Sequence, residues 1–200
     1  MFNNRKSTQT INYFVRKFPD LRLNKMKALK LLWAADRYHL RKYGRPIVGD
    51  NYVAMKNGPV QSVTKDILER DSYLQDQVEY GDKFLKIVGY ELESIAGVDE
   101  NVFSDTDLEA LEFAFVNFGD LDKWELCELT HKYPEWKKFK EELLSKRILV
   151  EVMDYTDFFK NSIIPDDNFT LDKDILEQSK EVYEENIKTE LIWNNKVPSV

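Results

Sequence analysis

Cysteine is almost absent: Cys127 stands alone among 200 residues. An internal disulfide and a Cys-rich zinc site are therefore excluded. Histidine is nearly as scarce, with His39 and His131 alone to serve acid–base or metal chemistry. No H-E-x-x-H, C-x-x-C or His-x-His spacing occurs. The seven glycines form neither G-x-G-x-x-G nor a Walker pattern, so the common phosphate-cradling loops are missing. No window approaches the roughly 18 consecutive apolar residues of a membrane span. Residues 1–10 are too polar for the core of a signal peptide. These absences predict a cytoplasmic chain with no membrane partner, no metal and no cofactor.

What is present is a composition of 42% hydrophobic, 32% charged and 13% aromatic residues, enough for one core filled by bulky side chains. The net charge of -7 hides an asymmetry. Residues 1–50 hold twelve Lys/Arg against Asp20, Asp36 and Asp50, a balance of +9. Residues 166–190 hold nine Asp/Glu against Lys173, Lys180 and Lys188, a balance of -6. The two segments can attract one another within a fold or serve different partners.

Apolar spacing of 3–4 residues predicts helices over 7–18, 23–43 and 60–70. Gly44 sits at a C-cap and Pro46 cannot continue the second of these. Ile47-Val48, a Gly49-Asp50 turn and residues 52–55 predict a small hairpin, and 77–80 with 83–88 predict a second around Gly81-Asp82. Asn57-Gly58-Pro59 is expected to open the third helix, with Pro59 at its first position. Further helices follow Ser104 or Asp105, Gly119-Asp120 and Pro134. A break at Ile163-Ile164-Pro165 precedes a last helix, which Thr170 would cap and which carries Leu171, Ile175, Val182, Ile187 and Leu191 on one stripe. The fold class is mostly α, a helical domain with one or two small antiparallel hairpins. A domain over 1–165 is followed by an acidic helical extension over 166–200.

Four kinds of chemistry deserve weighing. Asp36, His39, Asp50 and His131 supply the ligand types of a two-His, two-carboxylate metal site, but nothing in their spacing requires one, and local hydrogen bonding or capping of the hairpin accounts for Asp36 and His39. The helix start at 57–59 could hold an anion, or be only a turn. Arg37, Arg41, Lys42 and Arg45 with Tyr38 and Tyr43 combine charge and stacking rings, but the acidic total disfavours nucleic acid as the main partner. Protein binding needs only exposed aromatic and arginine anchors. Arg37, Tyr38, Arg41, Tyr43, Arg45 and Trp136 are candidates, with Trp33 and Trp124 read as core.

The segment KLLWAADRYHLRKYGRPIVGDNYVAMKNGPV, residues 30–60, resembles the signature of the Panacea domain, the SocA-like antitoxin domain. Its elements are a K-L-L-x-x-A-D-x-x-H helix, a Y-G-x-P-h-x-G-D segment and an A-x-x-x-G-P-V element. A second match, LDKWELCELTHKYPEWKKF at 121–139, resembles the family's L-T-H-x-x-x-x-W segment, with Thr130, His131 and Trp136 in place. The resemblance spans about residues 8–160. It implies a non-catalytic antitoxin of a bacterial or phage toxin–antitoxin pair that neutralises a cognate protein toxin by direct binding. One branch of the family instead delivers its toxin to a cytosolic protease. A phage or mobile-element accessory protein with its own enzymatic activity is the competing class. On this resemblance Arg37, Tyr38, Arg41, Tyr43 and Arg45 form the expected toxin-docking face. Asp36, His39, Gly44, Pro46, Gly49, Asp50, Gly58, Pro59, Thr130, His131 and Trp136 are expected to shape the scaffold.

Overall fold

The computed structural model describes residues 2–165 and 167–194, with side chains as far as Ile192. The fold is mostly helical with two small three-stranded antiparallel sheets. At its centre lies helix α2, Lys25–Tyr43. Leu31, Leu32, Trp33, Ala34 and Ala35 are all fully buried in succession. A helix covered all round in this way belongs in the interior rather than on a surface. Asn24 caps its start by accepting from the Met26 N–H. Gly44 ends it in the left-handed region at φ +69°, donating its N–H to the Leu40 carbonyl.

Around α2 pack α1 (Asn4–Arg16), α5 (Asp105–Phe118) and α6 (Lys123–Thr130). Capping boxes start α5 at Ser104 and α6 at Asp122, each satisfying end N–H groups that would otherwise lack partners. Small residues on α5, Ala110 and Ala114, are fully buried and permit the close approach to α2. The helix expected after Pro134 is divided into α7 (Pro134–Lys137) and α8 (Lys140–Leu144).

Both expected hairpins are displaced along the chain. Strand β2 (Tyr52–Met55) pairs not with 47–48 but with β3 (Gly58–Gln61), through a two-residue turn at Lys56-Asn57. Ile47 is held instead by the Asp36 carboxylate, which takes its N–H at 2.7 Å. Gly58, at φ +101°, is the glycine this turn requires. Pro59 therefore lies in an edge strand, where its missing N–H costs no ladder bond, and does not open a helix. Helix α3 (Ser62–Leu68) starts later. Asp50 caps it from outside, accepting from the N–H groups of Val63 and Thr64 and from the Thr64 hydroxyl. Strand β6 (Val150–Val152) completes the sheet in the order β3-β2-β6.

Residues 77–80, expected to be a strand, belong to helix α4 (Gln75–Gly81). The hairpin lies just beyond, β4 (Leu85–Val88) with β5 (Glu91–Ser94), turning on Gly89 at φ +62°. Strand β1 (Arg22–Asn24) adds to β5.

The last helix, α9 (Lys173–Asn194), begins after Asp172 rather than Thr170; the Asp172 carboxylate accepts from the Asp174 N–H. It docks through Ser179, whose hydroxyl donates to the Lys42 carbonyl, and Tyr183, which meets Tyr155 and Phe159. The expected apolar stripe of Ile175, Val182, Ile187 and Leu191 stays largely exposed. Asp166 and 195–200 of the expected extension lie outside the described residues.

Candidate functional site

The signature residues are mostly spent on the interior. Asp36 is fully buried and binds the Ile47 N–H and the Tyr52 hydroxyl. Gln61 in turn donates to Tyr52 at 2.7 Å. Burial pushes the Asp36 carboxyl up to about 7 against the hydrogen bonds that favour its charge. His39 donates from Nδ1 to the Arg45 carbonyl and accepts at Nε2 from the Thr106 hydroxyl. Burial lowers it to about 4, so it is neutral at pH 7 with a fixed tautomer. His131 stacks on Trp136 at 3.8 Å and is lowered by burial. The four residues considered for a metal site thus serve separate hydrogen-bond and packing roles.

Arg37 and Arg41, expected on the docking face, lie inside. Arg37 is 0% exposed and pairs with Glu135, equally buried, at 2.6 Å. The ring of Tyr133 lies 4.5 Å beneath its guanidinium, and the Lys160 carbonyl accepts its other arm. Among the described residues Arg41 pairs with no carboxylate. Its guanidinium donates to the carbonyls of Phe158, Lys160 and Phe169 and to the Asn161 amide oxygen. Burial and the neighbouring Arg37 bring it down to about 10. The i, i+4 spacing shows only that two residues share a face, and here that face looks inward, onto 133–169.

Tyr38, Tyr43 and Arg45 keep partial exposure. Glu109 of α5 gathers the hydroxyls of Tyr38 and Tyr43 and the ammonium of Lys42. Burial opposes its charge, but these three donors hold it down to about 2. Arg45 binds Asp107, Ser104 and Thr106. Trp136, another candidate anchor, is fully buried and donates to the Met55 carbonyl. Gly58 faces Thr130 so closely that a Cβ would stand 2.3 Å from its hydroxyl.

An open concavity lies elsewhere, at the N-terminal end of α2. A groove of about 530 Å³ runs between that end, the Lys56-Asn57 turn, α3 and the start of α6. Its apolar lining comes from Met26, Leu29, Val60 and Leu68, and Lys25, Lys30, Lys56, Lys65 and Lys123 line it too. Trp124, expected in the core, stands at the groove 56% exposed. It follows the Asp122 cap by two residues, on the outer side of the first turn, so the helical period that places Leu126 inside leaves it out. Lys30 is 1% exposed, donates to the Pro59 carbonyl at 2.7 Å and is lowered to about 8 by burial. No periodicity signals this groove, because four elements distant in sequence build it.

A family model described as antitoxin SocA-like, Panacea domain, matches residues 29–137, more than half of the chain. No curated protein and no solved structure matches at a significant level. The match spans the first signature segment and nearly all of the second, and by it the chain belongs to the SocA-like antitoxin family with the Panacea domain.

Proposed function

We propose that this protein neutralises a cognate protein toxin by binding it directly, without a reaction of its own. The family match carries the reading. The chemistry supports it: Asp36, His39, Arg37, Glu135 and Arg41 all find partners within the fold and hold its pieces together. Such residues specify a rigid scaffold, and a scaffold of this kind offers surface to a partner. Of the expected docking residues, Tyr38, Tyr43 and Arg45 still reach that surface, at the C-terminal end of α2, while Arg37 and Arg41 contribute by fixing the segment behind it.

Co-expression with the neighbouring gene tests this. The product of that gene should arrest growth alone, and this chain should restore growth and co-purify with it. Rescue without a protein complex, or a drop in toxin level that depends on a cytosolic protease, would replace neutralisation by binding with another mode.

A further inference from the structure

The groove at the N-terminal end of α2 has features of a recognition site that the expected docking residues lack. It is concave, its lining is aliphatic, and an exposed tryptophan stands beside it. Its charge is one-sided. Glu69 is the groove's only carboxylate among the described residues, and Lys65 already holds it at 2.6 Å. Lys25, Lys30, Lys56 and Lys123 line the same cavity and form no ion pair among the described residues. Lys25 and Lys123 lie 5.9 and 5.7 Å from the rings of Tyr90 and Trp124. Among the described residues Lys30 has a single carbonyl partner for three ammonium protons. A surplus of cations in one cavity of a chain with net charge -7 is complementary to an anion, and low-dielectric walls focus that field.

Resting on the antitoxin reading, we propose that this groove receives an acidic segment of the toxin, a large apolar or aromatic side chain flanked by Asp or Glu. The apolar residue lies on Met26, Leu29 and Val60 against Trp124. The carboxylates meet Lys56 and Lys123 at the rim, with the Lys30 charge beneath. A nucleic-acid strand is the poorer fit. Strand-binding grooves stack successive bases on a row of rings, and the lining here is aliphatic between two separated aromatics.

The test is selection from a random dodecapeptide display library on the whole chain, followed by affinity measurement on the enriched peptides. The variant is Lys56→Glu with Lys123→Glu. The control, Lys146→Glu with Lys188→Glu, makes the same charge change outside the groove. Enriched peptides should carry Asp or Glu beside an aromatic or large aliphatic residue. They should bind the groove variant at least tenfold more weakly and the control within about twofold, and weaken as salt is raised. No enrichment, enrichment of basic peptides, or equal binding by the groove variant would overturn the proposal. So would a single-stranded RNA 20-mer that binds more tightly than the peptides and loses its affinity in the same variant. The neighbour-encoded toxin separates the two readings. If it binds the native chain and the groove variant equally, the groove assignment fails and the antitoxin reading stands. If it does not bind the native chain, the antitoxin reading fails while the peptides still report on the groove.

Discussion

Charge placed inside a core must be matched, and two of the three buried cations in α2, Arg37 and Lys30, are matched differently. Arg37 has Glu135. Truncating Arg37 to Ala leaves that carboxylate buried without a counter-ion, and breaking such a pair typically costs ~3–5 kcal/mol. The double change Arg37→Met with Glu135→Leu removes both charges and should cost far less; urea unfolding of the two variants compares them directly. Lys30 has no carboxylate partner among the described residues. Its folded-state titration lies near 8, below the ordinary 10.5, so between these values the unfolded chain binds more protons than the native one. Stability from this group therefore rises as pH goes from about 8 toward 10, and is lost as pH falls through 8. Unfolding free energy measured at pH 7.0 and 9.5 should increase by roughly 1–3 kcal/mol in the native chain, and Lys30→Met should abolish that increment. Asp36 has the opposite slope. Raised to about 7 from 3.8, it contributes stability that is full below about 4 and lost as pH climbs through 7. In Asp36→Asn the unfolding free energy should be flatter between pH 4 and 7, at the cost of a poorer partner for the Tyr52 hydroxyl.

Helices were legible in the sequence wherever a period of 3–4 ran between recognisable ends, as from Asn24 to Gly44 or after Ser104. Strands 52–55 and 85–88 were legible too, but their pairing was not, because the turn residues admit more than one register. Gly49 and Gly58 both have positive φ, but only Gly58 turns a hairpin. Gly49 lies in the loop between Ile47, which Asp36 holds, and Asp50, which caps α3. That choice depends on two carboxylates reaching across 11 and 14 residues, which local pattern does not encode. The direction of the arginine face was lost for the same reason: its acceptors are Glu135 and groups at 158–169. Gly44 shows the double demand that an element boundary can carry. It needs φ +69°, and a Cβ there would stand 2.4 Å from the Ser179 carbonyl and 2.9 Å from Val182. Gly44→Ala should therefore cost more than the roughly 1–2 kcal/mol of left-handed backbone strain alone, because α9 must move. Amide exchange should quicken in α9 before it quickens in α1 or α5.

Across the whole molecule, the basic first quarter of the chain is neutralised by the middle rather than by the acidic end. Lys6 and Arg45 meet Asp107, Lys17 meets Glu112, and Lys42 meets Glu109. On α9 the ion pairs Lys173–Glu177 and Lys180–Glu184 are internal to the helix. The contacts holding α9 include instead the Ser179 bond to Lys42, the rings around Tyr183 and the packing of Leu176 on the core. The stretch between the family match and α9 is bound far more deeply. Strand β6 completes the second sheet, Phe158 packs on Tyr52, and Arg41 ties down 158–169. Phe169, beyond the expected boundary at 165, is 0% exposed and packs against Trp33, Tyr133 and Phe118. Cutting at the end of the match and cutting before α9 should thus differ in kind. A chain ended at Lys137 would leave Tyr52 without its ring partners Tyr155 and Phe158, Trp33 without Phe169, and Arg41 without the acceptors at 158–169. Deleting the buried ring of Phe169 alone is a loss of ~3–5 kcal/mol, against a total stability of roughly 5–15 kcal/mol for a domain. The chain ended at Lys137 should therefore show no cooperative thermal transition in near-ultraviolet circular dichroism. A chain ended at Asp172 keeps all of these contacts and gives up the α9 face over Gly44 and Phe159. It should melt cooperatively at a lower temperature, and a non-cooperative melt would show that α9 is part of the core rather than a helix laid upon it.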